Sequence, residues 1–527
     1  MVFVIGSGPA GVACASALLD GGEKVTMLDA GLELEPARRR QVANLRSTPS
    51  TSWTKDSLSF LRDGAEATPD GIPMKPAYGS DFAYRDTTGQ PIKSDGAYGK
   101  PSFARGGFSN VWGASVLPYR TDDMSDWPIT AGDLAPHYRA ALAMLPFSAR
   151  HDRLEEQFPL YHDDPGMLAG SSQAEALLRD LELSASKLSA HGLRFGASRL
   201  AVQAEGAGGK PGCVHCGKCI YGCPYDFIYN SAQTLERLRG NGAFTYRPGV
   251  VVEQLEDVSS QVEVRGRNLD GTGSFRMRAD RVFVACGVLS TARIMLASLD
   301  AYEQPIHALD NCYFLLPLVR YRGVPEAIRE RLHTLAQVFI EIVDPALGPH
   351  RAHLQVYTYN ELFQEEMARM MGPSRGALPL IRRGVLGRLL LIQGYLHSDL
   401  SGRIRLVLKR AGPGETASLE LTGESNPRTR PALAAVGRRL WAERGSIKGF
   451  PVSRMARVGL PGRGFHTGGT FPMRANPGPF EVDVLGRPHE LTRVHVVDAS
   501  VFPSLPATTI TLSVMANAHR IGAAAIA

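Results

Sequence analysis

A chain of 527 residues is too long for one compact core, and this length predicts two to four domains. Its composition, 44% hydrophobic and 21% charged, is that of an ordinary globular protein, and a net charge of +6 without a basic tail gives nucleic-acid binding little support. No stretch reaches the ~20 uncharged apolar residues of a membrane-spanning helix. The first apolar run passes directly into a glycine motif, so we expect a cytoplasmic protein.

The first thirty residues predict a βαβ unit. Residues 2–5 indicate a short strand, GVACASALLDGG a helix and KVTMLDAG a second strand, with GSGPAG at the first turn. In this pattern Gly6 permits the tight turn, Gly8 lets backbone amides reach a pyrophosphate, and Gly11 lets helix and strand pack closely. Asp29 ends the second strand, where a carboxylate can accept hydrogen bonds from a ribose. These features together predict a dinucleotide-binding domain.

The middle of the chain is less informative. The glycine-rich stretch SFARGGFSNVWGASVLPY, residues 102–119, predicts a loop that a large ligand approaches closely. Further on, VVVEQLED, QVEVRGRN, SFRMRA and DRVFVACG indicate four strands, and the last leads into a helix, GVLSTARIMLASL. Residues 300–445 alternate apolar and basic segments and show no motif that we can interpret. The segment 378–396 is both apolar and basic, which favours a buried strand and helix but also allows contact with a membrane surface.

Four of the seven cysteines lie close together in the sequence: Cys213, Cys216, Cys219 and Cys223. Their C-x2-C-x2-C-x3-C-P spacing is that of bacterial iron–sulfur ferredoxins. We expect an iron–sulfur cluster held by the first three, with Gly217 allowing the tight path. A four-iron cluster would take its fourth ligand from Cys223 or from a distant thiol such as Cys312. A three-iron cluster would need only the first three cysteines. The alternatives are a zinc site, although zinc ligand pairs are usually further apart, and redox-active or inert thiols.

The C-terminal region carries the clearest resemblance to a known family. FHTGGTFPM, residues 465–473, followed by RVHVVDASVFPSLPATTITLSVMANAHRIG, resembles the C-terminal signature of the glucose–methanol–choline (GMC) flavoprotein oxidoreductases. The N-terminal glycine motif, the GGFSNVWG loop and ACGVLSTARIML match that family in order and approximate spacing. The GGFSNVWG loop is most similar to the sugar-oxidising branch that includes pyranose oxidase and sugar dehydrogenases. The resemblance covers the FAD-binding ends of the chain and leaves the middle open.

This resemblance implies an α/β protein with two domains. A Rossmann-like FAD-binding domain, discontinuous in sequence, is expected over residues 1–130, 230–300 and 445–527. An α+β substrate-binding domain with an antiparallel sheet is expected over residues 131–229 and 301–444, and it includes the cysteine-rich loop 211–226.

Candidate catalytic residues lie in the C-terminal region. A helix that begins near Thr509 or Thr511 would direct free N–H groups at the pyrimidine edge of a flavin, and Asp498, at the end of the strand RVHVVD, can bond ribityl or phosphate-side groups. His466 lies in a glycine-flanked loop, which suits a general base. The resemblance places His466 at the active-site histidine of the family and Thr509 at the partner position, usually His or Asn. A threonine hydroxyl can orient a substrate hydroxyl but cannot act as a base.

The resemblance also implies how FAD is held. Val111 stands where some family members carry a histidine that is covalently linked to FAD, so we expect noncovalent FAD. Further cofactor-binding positions are expected at Gly107, Ser109, Asn110, Val251 and Gly287.

The implied function is an FAD-dependent dehydrogenase that oxidises the CH–OH group of a sugar, polyol or other alcohol. His466 would take the hydroxyl proton while the carbinol hydride moves to flavin N5, and Thr509 would position the hydroxyl. An iron–sulfur cluster would divide the electron pair and pass it to an external acceptor protein or quinone. The alternatives are an oxygen-dependent oxidase with structural cysteines, and a flavoprotein without net oxidation, such as a lyase, an isomerase or a structural subunit.

Overall fold

The computed structural model describes residues 1–63, 72, 74–86, 88–362, 384–412 and 416–526. The strands in these ranges are, in chain order, β1 Val2–Ile5, β2 Val25–Leu28, β3 Ile92–Asp95, β4 Leu193–Ala197, β5 Phe244–Arg247, β6 Val250–Val258, β7 Gln261–Asn268, β8 Ser274–Ala279, β9 Arg281–Val284, β10 Pro305–Asp310, β11 Tyr313–Arg320, β12 Val338–Val343, β13 Arg351–Tyr357, β14 Leu389–Leu396, β15 Arg403–Lys409, β16 Ser418–Glu424, β17 Gly449–Pro451, β18 Arg457–Val458, β19 Thr467–Gly468 and β20 Val494–Val496.

The α-helices in the same ranges are α1 Pro9–Asp20, α2 Pro36–Arg46, α3 Lys55–Leu58, α4 Ala131–Ala143, α5 Ser172–Glu182, α6 Ala185–Ala190, α7 Ser231–Leu238, α8 Val288–Ser298, α9 Thr429–Ala442, α10 Arg444–Ile447 and α11 Thr511–Ala524. Within the described ranges, none of the helices combines the length and apolarity needed to cross a bilayer.

A parallel sheet organises the nucleotide-binding side of the molecule. Its five strands run in the order β20-β9-β1-β2-β5. All residues of β1 are buried because helices cover both faces of a parallel sheet, which explains why VFVI is continuously apolar. β1, α1 and β2 form the βαβ unit that the sequence predicts, and the Rossmann-like part of the predicted fold class is thereby confirmed. A three-stranded antiparallel sheet, β6-β7-β8, and a mixed sheet, β19-β10-β15-β16-β3, lie alongside.

A seven-stranded sheet organises the other side. Its order is β17-β11-β14-β13-β12-β4, and β18 also pairs with β11. The pairs are antiparallel, which confirms the predicted antiparallel sheet. One face packs against α5 and α9 through a core that contains Leu177, Leu316, Ile392 and Leu440. We call this the substrate sheet.

The predicted domain division remains a prediction, but the sheets can be compared with it. The strands of the parallel sheet all fall in segments expected for FAD binding. β17 and β18 lie beyond residue 444 and still join the substrate sheet. The basic, apolar segment 378–396 lies outside the described residues up to position 383, and its end forms β14 inside the substrate sheet.

Candidate active site

A cavity of about 1390 Å3 lies between the parallel sheet and the substrate sheet. Its first wall is formed by the carboxyl ends of β1, β2 and β9, where ligands of open α/β sheets bind. Its opposite wall contains residues of β11, β13 and β14. We call these two surfaces the nucleotide wall and the substrate wall.

The glycines of the first turn shape the nucleotide wall. Gly6 has φ +99°, and a Cβ there would lie 2.6 Å from the carbonyl oxygen of Ala285. Gly11 packs even closer, because a Cβ would meet the carbonyl oxygen of Gly6. Gly8 precedes α1 and faces the cavity, and no described atom lies within 4 Å of its hypothetical Cβ. The turn therefore leaves open space at the N-terminus of α1, where a phosphate can bind.

Asp29 lies at the end of β2 and faces the same cavity. Its Oδ2 accepts hydrogen bonds from Ser7 Oγ at 2.5 Å and from the Tyr246 hydroxyl at 2.9 Å. Burial raises the pKa of Asp29 to about 6, while these hydroxyl groups act in the opposite direction. A carboxylate held in this way can accept further hydrogen bonds on its cavity side.

The loop Gly107–Asn110 continues the nucleotide wall. Gly107 and Ser109 line the cavity, and Ser109 Oγ accepts the backbone N–H of Ser231 at 2.9 Å. Asn110 faces away from the lining: its Nδ2 donates to the carbonyl oxygens of Arg105 and Gly107, which fixes the loop. The structure therefore gives Asn110 a positioning contact. Two further predicted residues are part of the lining: Val251 and Gly287.

The C-terminal elements complete this wall. Asp498 Oδ2 accepts the N–H of Gly287 at 2.8 Å and the hydroxyl of Thr291 at 2.6 Å, so its carboxylate joins β20 to the start of α8. Burial raises the pKa of Asp498. α11 begins at Thr511, which lines the cavity, and its first N–H groups carry the positive end of the helix dipole.

His466 lies where the two walls meet. Its ring stacks on Tyr395 of β14 with 4.7 Å between ring centroids. Its Nδ1 is buried and has no hydrogen-bond partner among the described residues. Burial, with His353 adding to it, lowers the pKa of His466 to about 4, so the ring is neutral at physiological pH. A neutral imidazole with an unpartnered nitrogen in a cavity can accept a proton.

Thr509 lines the same cavity and is buried. Its Oγ1 accepts the backbone N–H of Leu117 at 3.0 Å. The hydroxyl oxygen is therefore fixed, and its own proton remains available for donation to a neighbouring oxygen.

Several polar residues of the substrate wall are absent from our sequence predictions. Gln355 and Gln393 lie opposite each other on β13 and β14, and both line the cavity. His353 Nδ1 contacts Glu341 Oε1 at 2.5 Å, so His353 Nε2 is the acceptor for Gln355 Nε2 at 3.3 Å. The buried pair thereby fixes the Gln355 amide. A glutamine in the otherwise largely apolar run LLLIQGYL was the signal that could have identified Gln393, whereas Gln355 lies in a strand that also contains Arg351 and His353.

The four clustered cysteines line a separate, small cavity of about 20 Å3. Burial raises the pKa of Cys216 to about 12 and that of Cys223 to about 11, while backbone N–H groups directed at both sulfurs lower it. Cys312 belongs instead to the core of the substrate sheet. Ile220 and Tyr221, from the same cysteine loop, line the large cavity, so the two cavities share one loop.

Lys75 lies between the two cavities. It lines the large one, and its Nζ donates to the carbonyl oxygen of Trp112 at 2.6 Å. Burial lowers the pKa of Lys75 to about 8, and the nearby sulfur atoms of Cys219 and Cys223 act to raise it. A buried cation close to these sulfurs favours their ionised form.

Single metal ions fit the described side chains poorly. Thiolates around tetrahedral zinc lie about 3.8 Å apart, yet in the described ranges the only group of three ligand atoms within 4.8 Å is His350, His397 and Asp399. The rings of His350 and His397 stack face to face at 3.7 Å with 10° between their planes. Parallel rings direct their in-plane lone pairs along separate planes and cannot both reach one ion. This group therefore gives no mononuclear site as it stands.

Comparison with known proteins agrees with this geometry. Residues 452–518 match the C-terminal family model described as GMC oxidoreductase. The C-terminal part of the chain therefore resembles the GMC oxidoreductases. A curated relative, the 6'''-hydroxyparomomycin C oxidase of Streptomyces lividus, is 28% identical over 316 residues, 57% of this chain. The alignment spans 50% of that relative's length.

Solved structures show the same fold. The pyridoxine 4-oxidase of Mesorbium loti has a TM-score of 0.59 at 15% identity, covering 99% of this chain and 98% of that one. A formate oxidase variant of Aspergillus oryzae RIB40 has a TM-score of 0.57 at 14% identity, covering 99% and 97%. These likenesses confirm the predicted fold class, a Rossmann-like part beside a part with an antiparallel sheet, and the family match at residues 452–518 agrees with the resemblance seen in the sequence.

The nucleotide wall fits the FAD of a GMC oxidoreductase. Gly8 leaves open space for a pyrophosphate, Asp29 offers a carboxylate for a ribose, and α11 presents free N–H groups. Val111 is a buried apolar lining residue that offers no nucleophile for a covalent bond. A cavity of 1390 Å3 exceeds the usual 300–1,000 Å3 of one ligand site, which leaves room for a second molecule beside the cofactor.

Proposed function

We propose that this protein is a GMC oxidoreductase that oxidises the CH–OH group of an alcohol with noncovalent FAD. One observation supports this most directly: the neutral, unpartnered His466 lies in the same cavity as the glycine turn and the start of α11. A general base and a dinucleotide-binding wall that share one cavity are what alcohol oxidation by a flavin requires.

The residues of the chain divide the chemical work. His466 accepts the hydroxyl proton, because its pKa of about 4 keeps it unprotonated at neutral pH. Thr509, held by the N–H of Leu117, donates a hydrogen bond that positions the substrate oxygen. FAD, held at the glycine turn, Asp29 and the start of α11, would supply the hydride acceptor that converts the alcohol to a carbonyl compound. The first N–H groups of α11 favour negative charge beside them.

This function is tested by anaerobic titration of the purified holoenzyme with a panel of alcohols, sugars and polyols. Stoichiometric bleaching of the flavin by at least one of them, with formation of the matching carbonyl product, is the expected result. If every compound leaves the flavin oxidised, the proposal fails, and a flavoprotein without net oxidation becomes the better interpretation.

We further propose that Cys213, Cys216, Cys219 and Cys223 hold an iron–sulfur cluster, which would accept electrons singly for an external protein or quinone. The donor set supports this: four adjacent thiols, N–H groups directed at sulfur and the nearby Lys75. The loop also reaches the large cavity through Ile220 and Tyr221. The free volume of 20 Å3 holds about one water, so these side chains must turn outward to admit a cluster.

Iron and acid-labile sulfide in anaerobically purified protein test the cluster. Three or four irons per chain with matching sulfide are expected, and a Cys216→Ser variant should lose iron, whereas Cys312→Ser should keep it. Zinc, or four free thiols after anaerobic handling, would refute the cluster without affecting the proposed role of FAD.

An oxygen-dependent oxidase is the second candidate. It is favoured by the relatives named above, all three of which are oxidases by name. Peroxide formed stoichiometrically with product in air, with no faster turnover with a one-electron dye or a quinone, would select the oxidase. Faster turnover with the dye or quinone would select the dehydrogenase.

A further inference from the structure

The substrate wall has an unusual surface. Along β11, and along β14 as far as Gln393, the side chains alternate between fully and partly buried. The fully buried set, which includes Phe314, Leu316 and Ile392, packs into the helix-covered core. The partly buried set on the other face lines the large cavity, and most of its members are apolar. A sheet face that meets water normally carries polar residues, so this face is built to contact something apolar.

The strand register shows how polarity changes along this wall. At one end Tyr313 pairs with Tyr395, and the ring of Tyr395 stacks on the ring of His466. The following cavity-facing pairs, moving away from His466, are Leu315 with Gln393, Pro317 with Leu391, and Val319 with Leu389. The β11–β14 pairs are therefore polar beside the catalytic histidine and apolar two pairs further on, where the ring of Tyr357 on β13 flanks Leu391.

The dimensions of the apolar part follow from strand geometry. Gln393 and Leu389 are four residues apart, which corresponds to about 13 Å along a strand. Val452 and Met455, which follow β17, also line the cavity and extend the apolar surface. At the polar end, Gln355 is fixed by the buried His353–Glu341 pair, so a hydrogen-bonding group stays beside the reacting carbon.

From this polarity gradient we infer that the substrate is an amphiphilic alcohol. Its hydroxyl-bearing carbon lies at His466, between Thr509 and the two glutamines. Its apolar body, a hydrocarbon chain or a flat ring system, extends about 13 Å over β11 and β14. The occupant is the substrate itself, because this face is continuous with the cavity that holds His466 and the cofactor binds the opposite wall. The inference rests on the proposed alcohol oxidation and specifies its substrate class.

A free hexose fits this wall less well. It would contact the polar end with its hydroxyl groups, but it would leave the pairs Pro317–Leu391 and Val319–Leu389 against water. Each methylene of an alkyl chain that covers those pairs adds roughly fourfold to binding. The structure thus departs from the sugar-oxidising class to which the sequence of the loop at 107–110 is most similar.

The experiment is a homologous series of n-alcohols from ethanol to 1-decanol, with D-glucose as the polar comparison. Anaerobic stopped-flow reduction of the bound flavin gives kcat/KM for each compound. The expected result is a rise of roughly fourfold per methylene, with a plateau once the apolar wall is covered, and 1-octanol above glucose. A flat series, or glucose above 1-octanol, overturns the inference while leaving alcohol oxidation intact. If no compound reduces the flavin, the proposed function itself fails.

Two variants locate the effect on this wall. Leu391→Asn should lower the ratio of kcat/KM for 1-octanol to that for ethanol about tenfold. Val319→Thr, which keeps the shape and the strand preference, should lower the same ratio by about threefold. The matched control is Leu183→Asn, because Leu183 is 85% exposed and lies outside the cavity lining; its ratio should equal that of the wild type.

A binding readout separates selectivity from folding defects. 1-Octanol should raise the Tm of the wild-type holoenzyme through linkage, and should raise it less in Leu391→Asn. FAD content and far-UV circular dichroism show whether each variant is folded. An unchanged 1-octanol to ethanol ratio in both folded variants contradicts the inference.

Discussion

The nucleotide wall and the substrate wall of the same cavity are built in different ways. The nucleotide wall consists largely of backbone: glycine turns, helix starts and carboxylates held by N–H groups. The substrate wall consists of side chains that project from paired strands. A cofactor that is bound by backbone atoms requires particular residue types, such as glycine, at a fixed spacing. A strand, by contrast, can carry different side chains on its cavity face and still form the same hydrogen-bonded ladder.

The two walls therefore differ in what a substitution does. A Cβ at Gly6 or Gly11 meets the backbone itself, which cannot move without disturbing β1 and α1. A change at Leu391 alters the surface seen by a ligand and leaves the ladder of β14 intact. The first wall tolerates little change in sequence, and the second is where specificity for a substrate can vary.

The largest effect is expected at the nucleotide wall, for Gly8→Val. The backbone at Gly8 has φ −64° and ψ 178°, which valine adopts readily, so the fold should be retained. The new side chain would occupy the space beside the N-terminus of α1 and should weaken FAD binding by more than about a hundredfold. FAD content and a fluorescence titration of the apoprotein measure this loss.

The matched control is Gly242→Val, since no described atom lies within 4 Å of a Cβ at Gly242 either. That variant should bind FAD normally. Stoichiometric FAD in Gly8→Val would show that the nucleotide wall does not depend on this turn.

The second-largest effect is expected when the proposed base, His466, is removed from the point where the two walls meet. His466→Ala should keep FAD and lose about 10²–10⁴-fold in the rate of flavin reduction, the usual contribution of a general base. His489→Ala, at an exposed histidine, is the control and should reduce flavin at the wild-type rate. A His466→Ala rate within threefold of the wild type would assign the proton to another group.

The pH profile sharpens the same point. Because burial holds the pKa of His466 at about 4, the base stays neutral above about pH 4 and is lost as the pH falls through that value. kcat/KM for flavin reduction should therefore change less than about twofold between about pH 7.5 and about pH 5.5. A histidine of ordinary pKa, about 6.5, would lose about tenfold over this interval. Stopped-flow measurements after a pH jump distinguish the two.

The smallest effect concerns Thr509. Thr509→Val removes both the acceptor for the N–H of Leu117 and the hydroxyl that positions the substrate, so kcat should fall about tenfold and Tm should fall as well. Thr509→Ser keeps the hydroxyl and should stay within about threefold of the wild type. If both variants reduce flavin equally fast, positioning by this hydroxyl is refuted.

The nucleotide side could be predicted from the sequence to within a few residues. β1, the GSGPAG turn, α1 and β2 follow from local rules, and the final helix starts at Thr511, one of the two expected positions. These features are readable because each depends on neighbours in the chain. The need for a glycine at a positive φ, or for an acid at the end of a strand, can be inferred from the neighbouring sequence alone.

The substrate side could not be predicted to the same degree. Gln355, Gln393 and Tyr395 were missed because a strand pattern shows two faces but not which one meets a cavity. The sequence also left open whether Cys223 or Cys312 is the fourth ligand beside Cys213, Cys216 and Cys219. That choice depends on which thiol lies near the other three in the folded protein, and spacing alone does not determine it. The structure places Cys223 with the cluster of thiols and Cys312 in another core.

The parallel sheet draws its strands from both ends of the chain, and this sets the order of events during synthesis. β1 and β2 are made before β20, which extends the sheet beyond β9, and before α11, whose Gly522 packs against Cys14. More than 400 residues separate the two sets of elements in the sequence. At roughly 5–20 residues per second, the first strands wait on the order of half a minute to a minute and a half for these partners. A nascent chain thus has no complete FAD site, and the cofactor is acquired only once β20 and α11 have emerged from the ribosome.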